Sequence, residues 1–239
     1  MTLTHHDAMK RTDRLWADLV EQSARVQMLT DSALNALFVG DLSTARWVIE
    51  QDDAVDRVDL AIERASVALL CDITRWNVPL DQSQMRRLLT IVKVNNELER
   101  AADLACAAAQ RTAALADVLT RDGVKIPPAV SVIANSVIGI LRDVSKSLMR
   151  SDEVLARVVL QSEHTVEAFK EKIQRDNQDA IARGTMKADL AFLLHEIANV
   201  CERIADHATN IAEQVIYLQS GVIVRHTESA WTEVHVSGE

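Results

Sequence analysis

Two pairs of carboxylates stand four residues apart in this chain: Glu99 with Asp103, and Glu202 with Asp206. Residues four apart share one face of a helix, with Cβ atoms ~6 Å apart, and like charges placed so repel by a few tenths of a kcal/mol. A cation held between them reverses that sign. A second acidic line precedes each pair. Asp52, Asp56, Asp59 and Glu63 precede the first, and Glu163 and Glu167 the second. Carboxylate oxygens gathered from neighbouring helices are hard ligands, suited to Mg, Mn, Ca or oxidised iron. The second stripe continues through His195, Asn199, Glu202, Asp206, Asn210 and Glu213 in steps of three and four. The expected metal-binding residues are therefore Asp52, Asp56, Glu99 and Asp103 in one patch, and Glu163, Glu167, Glu202, Asp206 and Asn210 in the other. The second patch is expected to hold a divalent or iron-type ion more tightly, because Asn210 and Glu213 stand where the first half has Ala107 and Gln110. The alternative is a solvated acidic face, with Arg100 and Arg203 supplying positive charge beside the glutamates. His195 lies on the stripe. His207 is expected to be hydrogen-bonded or in the core, and His5, His6, His226 and His235 to be solvated.

These residues need helices to carry them, and the chain reads as helical almost throughout. It has 6 Gly and 3 Pro in 239 residues, so it has few turns and long elements. Apolar or small residues recur at Leu88, Ile91, Leu98, Ala102, Ala105 and Ala109, and again at Leu190, Leu193, Ile197, Val200, Ile204 and Ile211. Steps of three and four mark the seam of a bundle helix. Breaks fall at Gly40-Asp41, Asn77–Asp81, Asp122–Pro128, Ser151-Asp152 and Arg183–Thr185, with Asp41 suited to cap the helix that follows. The spacing predicts six helices, at about 8–39, 42–76, 81–120, 128–150, 152–182 and 185–219. No structure is predicted for 220–239.

The two halves repeat. A shift of 111 places Asp41, Ala45, Arg46 and Val48 on Asp152, Ala156, Arg157 and Val159. A shift of 103 places Asn96, Glu99, Arg100, Ala102 and Asp103 on Asn199, Glu202, Arg203, Ala205 and Asp206. Two copies predict an all-α protein of two pseudo-symmetric three-helix bundles, with repeats over 8–121 and 128–219 and a tail over 220–239.

The net charge of −9 and the lack of any Lys/Arg run argue against nucleic-acid binding. Cys71, Cys106 and Cys201 form no C-x-x-C and are expected to be buried, reduced residues. The polar start, Met1–Lys10, lacks a signal peptide's apolar region, and no run of ~18 apolar residues predicts a membrane span. No G-x-S-x-G and no glycine-rich loop before a helix is present, so no catalytic constellation is expected.

The stretches Asn96-Glu97-Leu98-Glu99-Arg100-Ala101-Ala102-Asp103 and Glu202-Arg203-Ile204-Ala205-Asp206-His207-Ala208-Thr209-Asn210-Ile211 resemble the paired E-R-I-G-D-x-A-x-N-I signatures of the PhoU family. Val48–Asp56 resembles that family's second-helix motif, and Tyr217–Gly221 followed by Arg225-His226 resembles its ending. Ala102 and Ala205 replace the usual Gly, and Ala107 an Asn. The resemblance implies a non-enzymatic cytoplasmic regulator of phosphate uptake. Its partners would be the ATPase subunit of the phosphate ABC transporter and the sensor histidine kinase of the phosphate response. It would restrain the phosphate-starvation response, reach the membrane only through those partners, form a homodimer and bind iron-type or divalent metal at the paired motifs. Two other readings remain. A ferritin-type di-metal enzyme would need Glu-x-x-His pairs, which the chain lacks. A plain helical scaffold would leave the matched acidic pairs unexplained.

Overall fold

Capping residues set most of the helix boundaries. In the computed structural model, which describes residues 2–227 and 230–235, Thr4 forms a reciprocal capping box with Asp7 at the start of α1 (His5–Val39). Asp41 caps α2 (Leu42–Glu50) as predicted, accepting from the backbone N–H groups of Ser43 and Thr44 at 2.9 and 3.1 Å. Then come α3 (Asp52–Arg75), α4 (Gln82–Gln110), begun by an Asp81–Gln84 capping box, and α5 (Thr112–Asp122). The second half contains α6 (Pro128–Arg150), α7 (Glu153–Ala182), capped by Asp152, and α8 (Ala188–Ser220). Gly40 and Ser151, which correspond in the repeat, both end a helix in the left-handed region, at φ 70° and 51°.

Two predicted helices are each interrupted. The 42–76 helix breaks at Gln51 and the 81–120 helix at Arg111, where the backbone stays near helical values but tightens. The Gln51 N–H is shared between the carbonyls of Trp47 and Val48 at 3.2 and 3.0 Å. Such bifurcated bonds are common at helix ends, and this one interrupts the helix without Gly or Pro, so nothing in the sequence signals it. In the tail, for which the sequence predicts no structure, β1 (Val222–Thr227) and β2 (Ala230–His235) pair as an antiparallel hairpin. The expectation for His226 and His235 falls outside the described side chains.

The packing follows the repeat. Helices α1, α3 and α4 form one bundle, and α6, α7 and α8 the other, joined by α4 on α8 and α1 on α6. Helices α4 and α8 pack on each other and both bury small residues, Ala101, Ala102 and Ala105 on one and Ala198, Ala205 and Ala208 on the other. Small buried side chains permit close helix packing, so Ala102 and Ala205 are compatible with positions where glycine is usual. Helix α6 is long and apolar enough to cross a membrane by length and composition, contrary to the sequence reading. Here Val130, Ile133, Val137, Leu141, Val144 and Leu148 are buried in the bundle. Cys106 and Cys201 are buried, but Cys71, expected to join them, is exposed.

Candidate functional site

The first patch gathers as the spacing predicts. Asp52 and Asp56 sit one turn apart on α3, facing Asp103 on α4, and one carboxylate oxygen from each lies within 4.8 Å of the other two. Glu99 stands one turn before Asp103. Burial, then the charges of Asp52 and Asp56, push the Asp103 carboxyl above its ordinary range. Glu99 is pushed up by burial and by Asp103, against the opposing pull of Arg100, whose Nε is 3.8 Å away. Asp59 is raised by burial, then by Glu63 and Asp56. Burial leads in all three, and the charges of neighbouring carboxylates add to it. The Cys106 thiol donates to Asp52 Oδ1 at 3.3 Å, and burial with this bond holds its pKa up at about 12. It is a neutral hydrogen-bond donor, not a thiolate ligand.

The second patch has the same backbone frame and a different charge balance. Glu202 and Asp206 on α8 lie beside Glu163 of α7, and Asp206 is pushed up to about 6 by burial, then by Glu202 and Glu163. Lys170 Nζ, however, donates to Glu202 Oε2 at 2.5 Å. Lys170 occupies the repeat position of Asp59. The second half thus places an ammonium where the first half places another carboxylate. Glu167 is on the exposed side of α7.

Asn210, expected as a further oxygen ligand, is elsewhere. Its Nδ2 donates to Glu97 Oε2 at 3.0 Å, and His207 Nδ1 contacts the same oxygen at 2.8 Å. Each four-residue step advances ~40° past a full turn, so Asn210, two steps beyond Glu202, has rotated ~80° away from α7 and toward α4. Glu213 is buried and paired with Arg225 of the hairpin. The expected extra oxygens therefore do not reinforce the second patch. The Glu97 carboxylate is half-buried, but the bonds from His207 and Asn210 outweigh that cost and hold its pKa low.

Sequence reasoning missed Glu97, and the repeat carries the signal that would have found it. The counterparts of Glu97, His207 and Asn210 under the 103 shift are Val200, Leu104 and Ala107, all apolar. The polar cluster therefore occurs on one side of the α4–α8 crossing only. It borders a cleft of about 710 Å³ between α3, α4, α8 and β1, lined by Asp59, Glu63, Lys93, Glu97, Glu213 and Arg225 among others. On the opposite side of the crossing, Arg111 Nε and Glu196 Oε2 make an ion pair at 3.0 Å. Their counterparts, Gln214 and Lys93, line the open cleft. His195 lines a smaller cavity of about 180 Å³ with Gln174 and Asn177, away from the carboxylates.

Fold and site define a class: a two-repeat helical-bundle protein with one carboxylate patch in each repeat, facing between its second and third long helices. Residues 19–112 and 130–215 match the PhoU domain. The chain belongs to the PhoU family. It is 28% identical over 207 residues to the "Phosphate-specific transport system accessory protein PhoU homolog 1" of Thermotoga maritima, covering 87% of this chain and 86% of that protein. It is 29% identical over 235 residues to the PhoU homologue of Pseudomonas aeruginosa, covering 94% and 91%. The crystal structure of PhoU from Pseudomonas aeruginosa superposes with a TM-score of 0.80 at 26% identity, over 89% of this chain and 98% of that one. PhoU from Streptococcus pneumoniae, at 19% identity, shares the fold with a TM-score of 0.80 over 92% and 100%.

Proposed function

We propose that this chain is a cytoplasmic accessory regulator of phosphate transport that acts by binding other proteins, with a hard metal ion as part of its first repeat. The observation that carries the reading is the match of both repeats, over nearly the whole chain, to proteins named as accessory to the phosphate-specific transport system. The partners would be the ATPase subunit of the phosphate transporter and the sensor histidine kinase, and the outcome of binding would be restraint of the phosphate-starvation response. Helical bundles offer long faces for such docking. The repeats over 8–121 and 128–219 would act as two similar modules, and the protein as a homodimer.

The metal reading rests on the first patch. Asp52, Asp56 and Asp103 suit a hard cation: all are oxygen donors, they are close enough to share one ion, and burial together with the charges of Asp52 and Asp56 raises Asp103. A cation bound there would neutralise the cluster and tie α3 to α4. Glu99, Asp59 and the Cys106 thiol would support the cluster from its edges. The second patch, with Glu163, Glu167, Glu202 and Asp206, is already partly neutralised by Lys170 and would hold an ion more weakly.

A deletion strain carrying a phosphate-responsive reporter tests the regulatory reading, together with capture of the transporter ATPase and the sensor kinase by the purified chain. Derepression of the reporter in high phosphate, restored by the gene, is expected. Normal repression, even after removal of any second PhoU-like gene, with neither partner captured, would overturn it.

A further inference from the structure

A groove of about 860 Å³ runs between α1 and α3, on the side of the first bundle away from the carboxylate patch. Its α1 wall carries Arg11, Arg14, Asp18, Glu21 and Arg25, spaced three and four apart so that all lie on one face. Its α3 wall carries Arg57 beside Ala54, Ala61 and Ala65, over a floor that includes Leu15, Val58 and Ile62. Four arginines thus line this groove in a chain whose net charge is −9; two of them are paired, Arg25 with Glu21 and Arg11 with Asp72.

The floor is fixed. Buried Gln22 donates from Nε2 to the Val55 carbonyl at 3.0 Å, and its Oε1 accepts from Arg25 at 2.9 Å. Arg11 is held by Asp72 at 2.6 Å. These contacts run α1 and α3 antiparallel and leave Arg14 and Arg57 exposed, without an ion pair among the described residues. The repeat supplies an internal control. Under the 111 shift, Arg11, Arg25 and Arg57 fall on Asp122, Ser136 and Ala168, and only Arg14 falls on a basic residue, Lys125. Moreover Ala17 corresponds to Pro128, the first residue of α6, so the turns of α1 that carry Arg11 and Arg14 have no counterpart within α6. Packing three helices does not require this basic groove, since the second bundle packs without one.

Length and chemistry together select the occupant. From Arg11 to Arg25 the groove extends for ~21 Å along α1, about four helical turns. The alanines on the α3 wall let another helix come within ordinary packing distance. A small anion would need only one compact end of such a groove. We propose that the α1–α3 groove is the docking site for an acidic amphipathic helix of a partner protein. Its apolar face would lie on Val58 and the alanines, and its carboxylates would meet Arg14 and Arg57. This proposal stands independently of which partner the regulatory reading names.

The test uses the full chain and a labelled amphipathic Leu/Ala/Glu peptide of about 18 residues, ~27 Å as a helix. A control peptide has Lys in place of Glu. Fluorescence anisotropy should show binding of the acidic peptide, weakening with salt, and at least tenfold weaker binding in the Arg14→Glu/Arg57→Glu variant. The milder Arg14→Ala/Arg57→Ala variant should show a smaller loss, with an unchanged melting temperature. Lys125→Glu with Ala168→Glu, the corresponding positions of the second repeat, should leave binding intact. Absence of binding, equal binding of both peptides, or equal loss from the second-repeat variant would overturn the proposal. So would sedimentation showing that Arg14→Glu/Arg57→Glu splits a dimer, since the groove would then hold a second copy of the chain.

Discussion

The two carboxylate patches share a backbone frame and differ chiefly at one helix position. In the first repeat Asp59 adds a carboxylate to a cluster whose members are raised by burial and then by one another. In the second, Lys170 at the corresponding position bonds Glu202. Both patches read as similar acidic stripes, yet Lys170 neutralises part of the second, and the corresponding position of the first carries Asp59. A side chain on the neighbouring helix therefore changes the charge balance of a duplicated acidic motif, and under the proposed function it separates a metal site from an internal ion pair.

The largest expected effect breaks the comparison at its stronger end. Asp52→Asn with Asp103→Asn should lower bound divalent metal at least tenfold, read by elemental analysis after dialysis. Glu202→Gln with Asp206→Asn should change it little. Equal losses from the two double variants would show that the patches are not distinct. The next effect exchanges the deciding charges. Lys170→Asp should give the second patch measurable metal binding in calorimetric titration, and Asp59→Lys should weaken the first about tenfold. If neither titration changes, the charge at this position is not what separates the repeats.

A third expectation concerns the α4–α8 crossing. Glu97→Ala leaves His207 and Asn210 without their shared acceptor and should cost about 1–3 kcal/mol, read from urea denaturation. Val200→Ala, the corresponding position, should cost only about 0.5–2 kcal/mol, as loss of buried methyl groups does. A Glu97 variant as stable as the parent chain would show that the cluster does not brace the crossing.

The smallest effect is one of pH. Asp206 titrates at about 6 in the folded chain, above the ordinary 3.8 expected when unfolded. Between these values the folded protein keeps a proton that the unfolded chain has lost. Asp206 therefore favours folding at low pH, and that contribution falls as pH rises through about 6. Partial exposure limits the change to the order of 1 kcal/mol. Urea midpoints in chelator at about pH 4.5 and 7.5 should differ less for Asp206→Asn than for the parent. An identical pH dependence in the two would place the titrating group elsewhere.

Much of this molecule is legible in its sequence, because helices are local. Heptad-like seams, Asp41 and Asp152 as caps, and the two repeat shifts report backbone hydrogen bonding and side-chain period, which depend on residues only a few positions apart. The pairing of Asp52 and Asp56 with Asp103 also follows, once α3 and α4 are antiparallel neighbours. The interruptions at Gln51 and Arg111 carry no Gly or Pro signal, since the backbone there remains nearly helical. The rotation of Asn210 toward Glu97 depends on where α4 lies around α8, and no spacing within α8 states that. The same holds for Lys170 on Glu202 and for the arginines collected between α1 and α3. Composition and period determined that this chain is a duplicated helical bundle with acidic stripes. Only the tertiary packing decided which charges meet, because Coulomb and hydrogen-bond energies depend on distances across helices that sequence separation does not encode.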